Sequence, residues 1–368
     1  MNYIIPFLIL ITVVVFIHEY GHYYFAKKYG VGVTDFSIGF GREIFGWNDQ
    51  SGTRWKICWI PLGGYVKFFG DRNVFSESEQ QEVINKYNDE DRKKLFILKP
   101  LYQRSIIVAA GPLANFVLAV LIFTIINMVD GKDMTPAVIN EVLDDSPAFV
   151  AGMKKNDKII SIDNMKVESI LEVSTFINIS TSETIEFIIL RNGQEIFLAV
   201  KPNLVDGKDS LGNSVKKRMI GIKLSPLNNE FQKQPLGPSK ALYYSIKEVW
   251  FVSVTSLNYL GKMITGSVDT SQLGGPIKIA KITGQVAEYG IIPFLSIMAY
   301  ISISLGIINL LPIPMLDGGH LMFYFIEKIL GRPLSQKIQE GFFRIGLFVL
   351  FSLMFFVTFN DLKDLGLF

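Results

Sequence analysis

Two histidines and a glutamate near the start of the chain carry the clearest chemical pattern. His18, Glu19 and His22 form H-E-x-x-H, and residues four apart lie on one face of an α-helix. Both imidazoles can therefore bind the same metal ion, with Glu19 close enough to act on a water molecule there. The pattern is the zinc hydrolase signature, and it uses two of the three histidines in the sequence.

A catalytic zinc normally has three protein ligands and one open position, so a third ligand is needed. The metzincin extension is excluded, because Phe25 and Lys28 stand where that class needs glycine and histidine. Glutamates on later segments are formal candidates, but their sequence neighbours are not distinctive. They are Glu43, Glu327 and Glu340.

Asp317 has more distinctive neighbours. It lies in the segment 309–320, where two prolines and two glycines interrupt a helix at the end of an apolar run. Irregular backbone at membrane depth needs protein or a water-filled cavity around it, and an acid there is a functional candidate. A solvated carboxylate in a turn is the alternative. His320 is a weaker candidate, because a fourth protein ligand would occupy the open position.

The composition indicates a membrane protein. Of 368 residues, 49% are hydrophobic and 29 are Phe, and four runs are long enough to cross about 30 Å of hydrocarbon. They are residues 4–26, 106–129, 291–311 and 342–359. A cleaved signal peptide is the alternative for the first run, but that run lacks a basic start and a cleavage site.

Charge and cysteine content exclude other classes. The net charge of +2 comes without a basic stripe, so we expect no nucleic-acid partner. Cys58 is the single cysteine, which excludes a disulfide framework.

The distribution of basic residues predicts the orientation in the membrane. Residues 27–104 contain thirteen Lys and Arg, whereas the tail before the first run has none. The positive-inside rule then places both termini outside, the segment 27–104 in the cytoplasm and the metal site towards the cytoplasmic side. Residues 242–264 are apolar but contain three charges, and we expect an interfacial helix outside the membrane rather than a fifth span.

The sequence pattern of residues 130–225 predicts a small extracytoplasmic α+β domain. Ser146 and Pro147 are typical of a helix start, and Asn192-Gly193 joins two alternating runs as a tight hairpin with a type I′ turn. Short strands with two short helices resemble one PDZ module. An unrelated α+β domain is the alternative.

Four motifs in chain order carry a family resemblance. The chain resembles the site-2 protease family of intramembrane zinc metalloproteases, and within it the bacterial regulator-of-sigma-E protease group. The motifs are His18-Glu19-x-x-His22, Gly111-Pro112-Leu113-Ala114-Asn115-Phe116, the PDZ-like domain, and Asn309-x-x-Pro312-x-Pro314-x-Leu316-Asp317-Gly318-Gly319. Familiar members of that group carry two PDZ modules, whereas this chain has room for one.

The resemblance implies one zinc ion per chain, bound by His18, His22 and Asp317. It implies that Glu19 is the catalytic base and that Asn309 positions the substrate or stabilises the oxyanion. A helix-capping role for Asn309 is the alternative.

The same resemblance implies a membrane-associated β-hairpin at about residues 55–70. Its edge would add the substrate as a further strand, with contacts from Gly63, Gly64, Tyr65 and Val66. An ordinary cytoplasmic hairpin is the alternative.

The predicted fold class is an α-helical membrane protein with four transmembrane helices, a membrane-associated β-hairpin and one inserted extracytoplasmic PDZ-like α+β domain. The predicted segments are four membrane-spanning helices and the parts of the chain that connect them. They are helix 1 at 1–26, the cytoplasmic segment at 27–104, helix 2 at 105–129, the PDZ-like domain at 130–225, the extracytoplasmic interfacial segment at 226–290, helix 3 at 291–320 and helix 4 at 341–360.

By the resemblance, we expect an intramembrane zinc endopeptidase of the bacterial inner membrane. Its substrates would be single-pass membrane proteins, such as anti-sigma factors or signal-peptide remnants, first shortened by another protease. Membrane lipid would be a further partner. Two alternatives stay open: a membrane zinc protease with a glutamate as third ligand, and a non-proteolytic scaffold that binds peptides through the PDZ-like domain.

Overall fold

The computed structural model describes residues 3–70, 87–180, 182–208, 214–226, 231–265 and 274–364. Parts of the predicted segments 1–26, 27–104, 130–225 and 226–290 therefore lie outside the described residues. The chain divides into two compact units. The first comprises Met1–Phe123, Ser245–Leu257 and Leu273–Phe368, and the second comprises Thr124–Tyr244 and Asn258–Gln272.

Helices dominate the first unit and strands the second. The helices are α1 Ile4–Lys28, α2 Asp89–Arg92, α3 Leu101–Val129, α4 Pro147–Val150, α5 Ile170–Ile179, α6 Pro238–Ile264, α7 Pro276–Glu288, α8 Ile291–Leu310, α9 Asp317–Leu330 and α10 Gln336–Asp364, with a 3₁₀ turn at Phe96–Leu98. The strands are β1 Val33–Asn48, β2 Arg54–Phe68, β3 Lys132–Asp133, β4 Ile139–Val142, β5 Lys158–Ile162, β6 Met165–Lys166, β7 Ile185–Arg191, β8 Gln194–Val200, β9 Asn203–Lys208, β10 Ser214–Met219, β11 Ile222–Leu224 and β12 Lys233–Gln234.

Four helices among the described residues are long and apolar enough to cross a membrane, which confirms the predicted number. They are α1, α3, α8 and the part Lys337–Lys363 of α10. Helix α6 is 27 residues long but is not among them, because Lys and Glu residues interrupt its apolar face. Its predicted interfacial location stays a prediction.

The prediction of a hairpin at residues 55–70 is wrong about which strands form it. Residues 54–68 form the single strand β2, and the partner strand is β1, which precedes it in the chain. The turn between them lies at residues 49–53, where the Asp49 carboxylate accepts the backbone N–H groups of Ser51 and Thr53 at 2.8 and 2.9 Å. The hairpin therefore turns at an aspartate, and Gly63-Gly64 lies inside a strand.

Both long strands bend at glycines, so the hairpin folds into a wider sheet. Gly39 and Gly41 have φ of +87°, and Gly63 has φ of +129°, values that only glycine adopts easily. Residues 35–38 of β1 pair with residues 64–67 on one side and with residues 54–57 on the other. Residues 64–68 thus form an edge, where no strand pairs with their outer side among the described residues.

Aromatic side chains attach this sheet to α1. The Phe36 and Trp55 rings stack with centroids 4.2 Å apart, and Tyr23 packs edge-on against both. The Tyr23 hydroxyl also donates to the Asp49 carboxylate at 2.9 Å. Burial would raise the pKa of Asp49, but the hydrogen bonds from Ser51 and from the Tyr23, Thr53 and Trp55 groups outweigh it and hold that pKa well below its usual range.

The second unit contains a four-stranded antiparallel sheet with the order β6-β5-β7-β8. Ser146 caps α4, and Pro147 stands at its first turn, as the sequence predicts. Asn192 and Gly193 both have positive φ, which is typical of the predicted type I′ turn. Ser169 and Glu172 form a capping box at α5.

Candidate metal centre

Helix α1 places His18 and His22 on one buried face. Their side chains are one turn apart, and the two Nε2 atoms approach to 3.2 Å. The exposed fractions are 7% for His18 and 9% for His22. The i and i+4 spacing therefore brings two imidazole nitrogens to the same point, away from solvent.

The orientation of His22 is set by α3. Its Nδ1 donates to the carbonyl oxygen of Ile107 at 2.9 Å, so the proton of the neutral ring is on Nδ1 and the lone pair is on Nε2. Gly111 leaves space for this ring, because a Cβ at that position would collide with the imidazole. Gly21 of α1 likewise lies against the Ala110 carbonyl. The two helices must approach closely to hold the ring.

Asp317 reaches the same point from the broken segment after α8. Its Oδ2 lies 3.2 Å from His18 Nε2, and its Oδ1 lies 3.5 Å from His22 Nε2. Gly318 and Gly319 allow the tight turn, because Cβ atoms there would collide with backbone carbonyls of residues 310–313. Met315 has φ of +84°, a strained value for a residue with a side chain.

The donor set fits a zinc ion. One atom from each of His18, His22 and Asp317 lies within 4.8 Å of the others. The lone pair of His22 Nε2, the Nε2 atom of His18 and the Asp317 carboxylate converge on one point, and a cation can bind all three. Two nitrogens and one oxygen match the ligands of catalytic zinc sites and leave a fourth position for water or substrate.

The other candidate ligands lie elsewhere in the described part of the chain. Glu43 pairs with Arg54, with an N to O distance of 2.5 Å, and Glu327 pairs with Arg104 at 2.6 Å. The His320 ring contacts Phe343, with centroids 5.8 Å apart. None of the other candidates belongs to the metal-ligand cluster within these residues, which holds for Glu43, Glu327, Glu340 and His320.

The Arg104–Glu327 pair joins the start of α3 to α9, the helix that Asp317 begins. The two terminal guanidinium nitrogens donate to the carboxylate oxygens, at 2.6 and 3.3 Å, and the guanidinium also lies over the Tyr324 ring. Such a bidentate pair restricts rotation as well as distance. Sequence analysis assigned Arg104 no role.

Glu19 lies between the cluster and the β-sheet. A Cβ placed on Gly64 would lie 3.1 Å from the Glu19 Cγ and 3.1 Å from Val15 Cγ1, so β2 runs directly against this part of α1. The backbone amide of Val66 faces the Glu19 carboxyl group. The Tyr65 ring stacks on the Phe40 ring, and Gly63 leaves room for the Phe40 ring. The four predicted substrate-binding residues thus lie in a strand adjoining Glu19.

Asn309 is half-buried in the last turn of α8. Within the described residues it makes no hydrogen bond to the three cluster residues. Sequence reasoning missed the contacts that Ile107, Gly111 and Asn115 of α3 make with the imidazoles. The Gly-Pro-Leu-Ala-Asn motif was the signal for Gly111 and Asn115, and Ile107, which lies outside that motif, had none.

A comparison with known protein families matches residues 6–353 to the model of peptidase family M50. Among similar proteins, "Putative zinc metalloprotease Atu1380" of Agrobacterium fabrum is 40% identical over 99% of this chain and 96% of its own length. "Putative zinc metalloprotease mll0638" of Mesorhizobium japonicum is 40% identical over 98% of each. "Metalloprotease MmpA" of Caulobacter vibrioides is 34% identical over 99% of this chain and 96% of its own.

The family match and these relatives agree with the donor set and the apolar helices. The chain belongs to peptidase family M50, the site-2 proteases, and is an integral membrane zinc metalloprotease.

Proposed function

We propose that the protein is an endopeptidase that hydrolyses a peptide bond within or near the membrane span of a single-pass protein. The observation that carries this proposal is the position of the donor cluster. His18 and His22 lie on a buried face of α1, Asp317 follows α8, and both of these helices are apolar enough to cross a membrane. A protease whose metal site lies between membrane-spanning helices is positioned to act on membrane-spanning segments of other proteins. Water and substrate must both reach this site, since the chain's own residues surround it.

The sheet edge supports a mode of substrate binding. Residues 64–68 have an unpaired outer side among the described residues, and Gly64 lies against Glu19. A substrate segment that adds to this edge is held extended by backbone hydrogen bonds, so its carbonyls leave the helical pattern that protects them. Gly63, Gly64, Tyr65 and Val66 are the proposed substrate-binding residues.

Each residue of the site has a proposed role. His18, His22 and Asp317 would hold the zinc ion. When bound there, it would act as a Lewis acid and activate water for attack. Glu19 accepts the proton of the attacking water and returns it to the leaving amine. The Asn309 amide positions the substrate or donates to the developing oxyanion.

The remaining expectations concern the cell. From the family resemblance we place the protein in the bacterial inner membrane. We place both termini outside and the site towards the cytoplasm because residues 27–104 are rich in Lys and Arg. Residues 130–225 are proposed to form a PDZ-like size filter that admits substrates already shortened by another protease. Anti-sigma factors and signal-peptide remnants fit this substrate class.

The test compares wild type with Glu19→Gln, which keeps the side-chain shape and removes the proton carrier. Zinc content is measured on detergent-purified protein, beside cleavage of a model single-span substrate in proteoliposomes. We expect zinc in both proteins and cleavage by wild type alone.

Unchanged cleavage by Glu19→Gln would refute the assignment of the base. A wild type that binds zinc and cleaves soluble casein but no membrane-embedded substrate would refute the intramembrane proposal. A wild type that binds the single-span substrate without cutting it would favour the scaffold instead.

A further inference from the structure

Asn115 is a buried polar residue next to the metal centre without an assigned role. It lies in α3 with an exposed fraction of 0%, and its Nδ2 is 3.3 Å from His18 Nδ1. Its Oδ1 is buried and has no hydrogen-bond partner among the described residues. A buried amide oxygen without a partner is costly, so this arrangement calls for an explanation.

Zinc binding explains this arrangement, because it gives the Asn115 oxygen a hydrogen-bond partner. A zinc ion on His18 Nε2 requires the lone pair at that atom, and the neutral ring then carries its proton on Nδ1. That N–H needs an acceptor, whereas the Asn115 Nδ2 group is a donor. The two ends of a carboxamide have nearly the same shape, so a half-turn about the terminal bond exchanges them. It places Oδ1 against His18 Nδ1.

We propose that Asn115 is a positioning residue that accepts the His18 Nδ1–H bond and thereby aims His18 Nε2 at the metal. This inference rests on the proposed zinc site. Asn115 would do for His18 what the Ile107 carbonyl does for His22. Both acceptors lie on α3, so one helix would orient both imidazoles through their outer nitrogens. Outer partners of this kind raise ligand basicity and fix the ring.

Helix α8 contacts the backbone of Asn115 through a hydrogen bond that does not involve the amide side chain. The Ser302 hydroxyl donates to the Asn115 backbone carbonyl at 2.9 Å, and both residues are fully buried. Gly306 lies one turn further along, against Pro112 and Phe116. The backbone of Asn115 is therefore held independently of its amide, and Ser302→Ala provides a matched control that leaves the amide in place.

The experiment measures the zinc dissociation constant by competition with a chelator, and the thermal midpoint of the zinc-free protein, both in detergent. The proteins are wild type, Asn115→Leu, Asn115→Asp and Ser302→Ala. Leucine has a similar volume without an acceptor, so we expect zinc binding about 10- to 100-fold weaker with little change in the zinc-free midpoint. Aspartate only accepts when ionised, and we expect zinc to bind at least as tightly as in wild type. Ser302→Ala should bind zinc as wild type does.

An Asn115→Leu variant with the wild-type dissociation constant would overturn the inference while leaving the zinc site intact. So would a folded Asn115→Asp variant that loses zinc as the leucine variant does, because an acceptor at this position would then not support zinc binding by His18. If Asn115→Asp does not fold, the leucine variant decides alone. Wild-type protein unable to bind zinc would refute the proposed metal site itself.

Discussion

The histidines and Asp317 arrive at the same point by different routes. His18 and His22 share one helix, and their spacing of four residues brings them together before any other element packs. Asp317 lies about 300 residues later, at the start of α9 after an irregular turn, and reaches the histidines only through helix packing. The two sides of the site therefore differ in what holds them.

Close contacts between α1 and α3 hold the histidine side. Gly21 and Gly111 allow the approach, and hydrogen bonds to the outer nitrogens orient the rings. The aspartate side relies on a turn with two glycines and on the Arg104–Glu327 pair. Helix α3 therefore contributes to both sides, and among the described residues a charge pair supports the aspartate side.

Removing a ligand from either side should have the largest effect. Zinc sites bind with about 10–16 kcal/mol shared among their ligands, so one ligand contributes about 3 kcal/mol, or on the order of 100-fold in affinity. We expect this loss for both His22→Ala and Asp317→Ala, measured by chelator competition. His320→Ala is the control, because His320 follows Asp317 by three residues yet lies outside the cluster. Full zinc occupancy in Asp317→Ala would reopen the identity of the third ligand.

Gly111→Ala tests the histidine side through packing. The new methyl group would collide with the His22 imidazole, so we expect a loss of stability of about 1–3 kcal/mol and weaker zinc binding. Thermal unfolding and zinc competition measure the two effects. Gly341→Ala is the matched control, since it adds a methyl group to a helix where nothing lies within 4 Å. Equal behaviour of the two variants would show that Gly111 is not needed for close approach.

Glu327→Gln tests the aspartate side. The pair is about four-fifths buried, with side-chain exposures of 17% and 18%, so breaking it should cost about 1–3 kcal/mol and weaken zinc binding less than loss of a ligand does. The exchange Arg104→Glu with Glu327→Arg should restore part of the loss. The exposed pair Lys201–Glu183 provides a control in Glu183→Gln, which should leave zinc binding unchanged. Unchanged zinc binding by Glu327→Gln would show that the charge pair does not support the aspartate side of the site.

Asp49→Asn should have the smallest effect, because it acts on the hairpin turn and not on a ligand. The pKa of Asp49 is depressed in the folded protein, so its contribution to stability is complete above the unfolded pKa of about 4 and is lost as the pH falls below that value. The wild-type advantage over Asp49→Asn in thermal midpoint should be constant from pH 7 to about pH 5 and shrink below pH 4. An advantage that grows on acidification would contradict the assignment.

Much of the local structure was predictable from the sequence. The four spans follow from long apolar runs, and the capped helix at Ser146 and the turn at Asn192-Gly193 follow from residue types with strong conformational preferences. Each of these features involves residues close together in the chain. Short-range preferences suffice for them.

The hairpin shows where such reasoning fails. The predicted hairpin lay at about residues 55–70, but Gly63 and Gly64 lie inside a single strand, at a bend and close to Glu19. The partner strand β1 begins about 30 residues earlier, and its pairing on both sides depends on register between distant segments. A glycine in a sequence can indicate a turn, a bend in a strand or a close approach of two segments. Only the tertiary structure shows which of these applies.

By itself, the sequence determined the pair of imidazoles, the acid next to them and the helices that carry them, because these depend on spacing within one helix and on apolar length. It also marked Asp317 as unusual without choosing it over a solvated turn. Only the tertiary structure placed that carboxylate 3.2 Å from His18, and put the Ile107 carbonyl and Asn115 behind the rings. These contacts join segments far apart in the chain, and packing among the helices decides them.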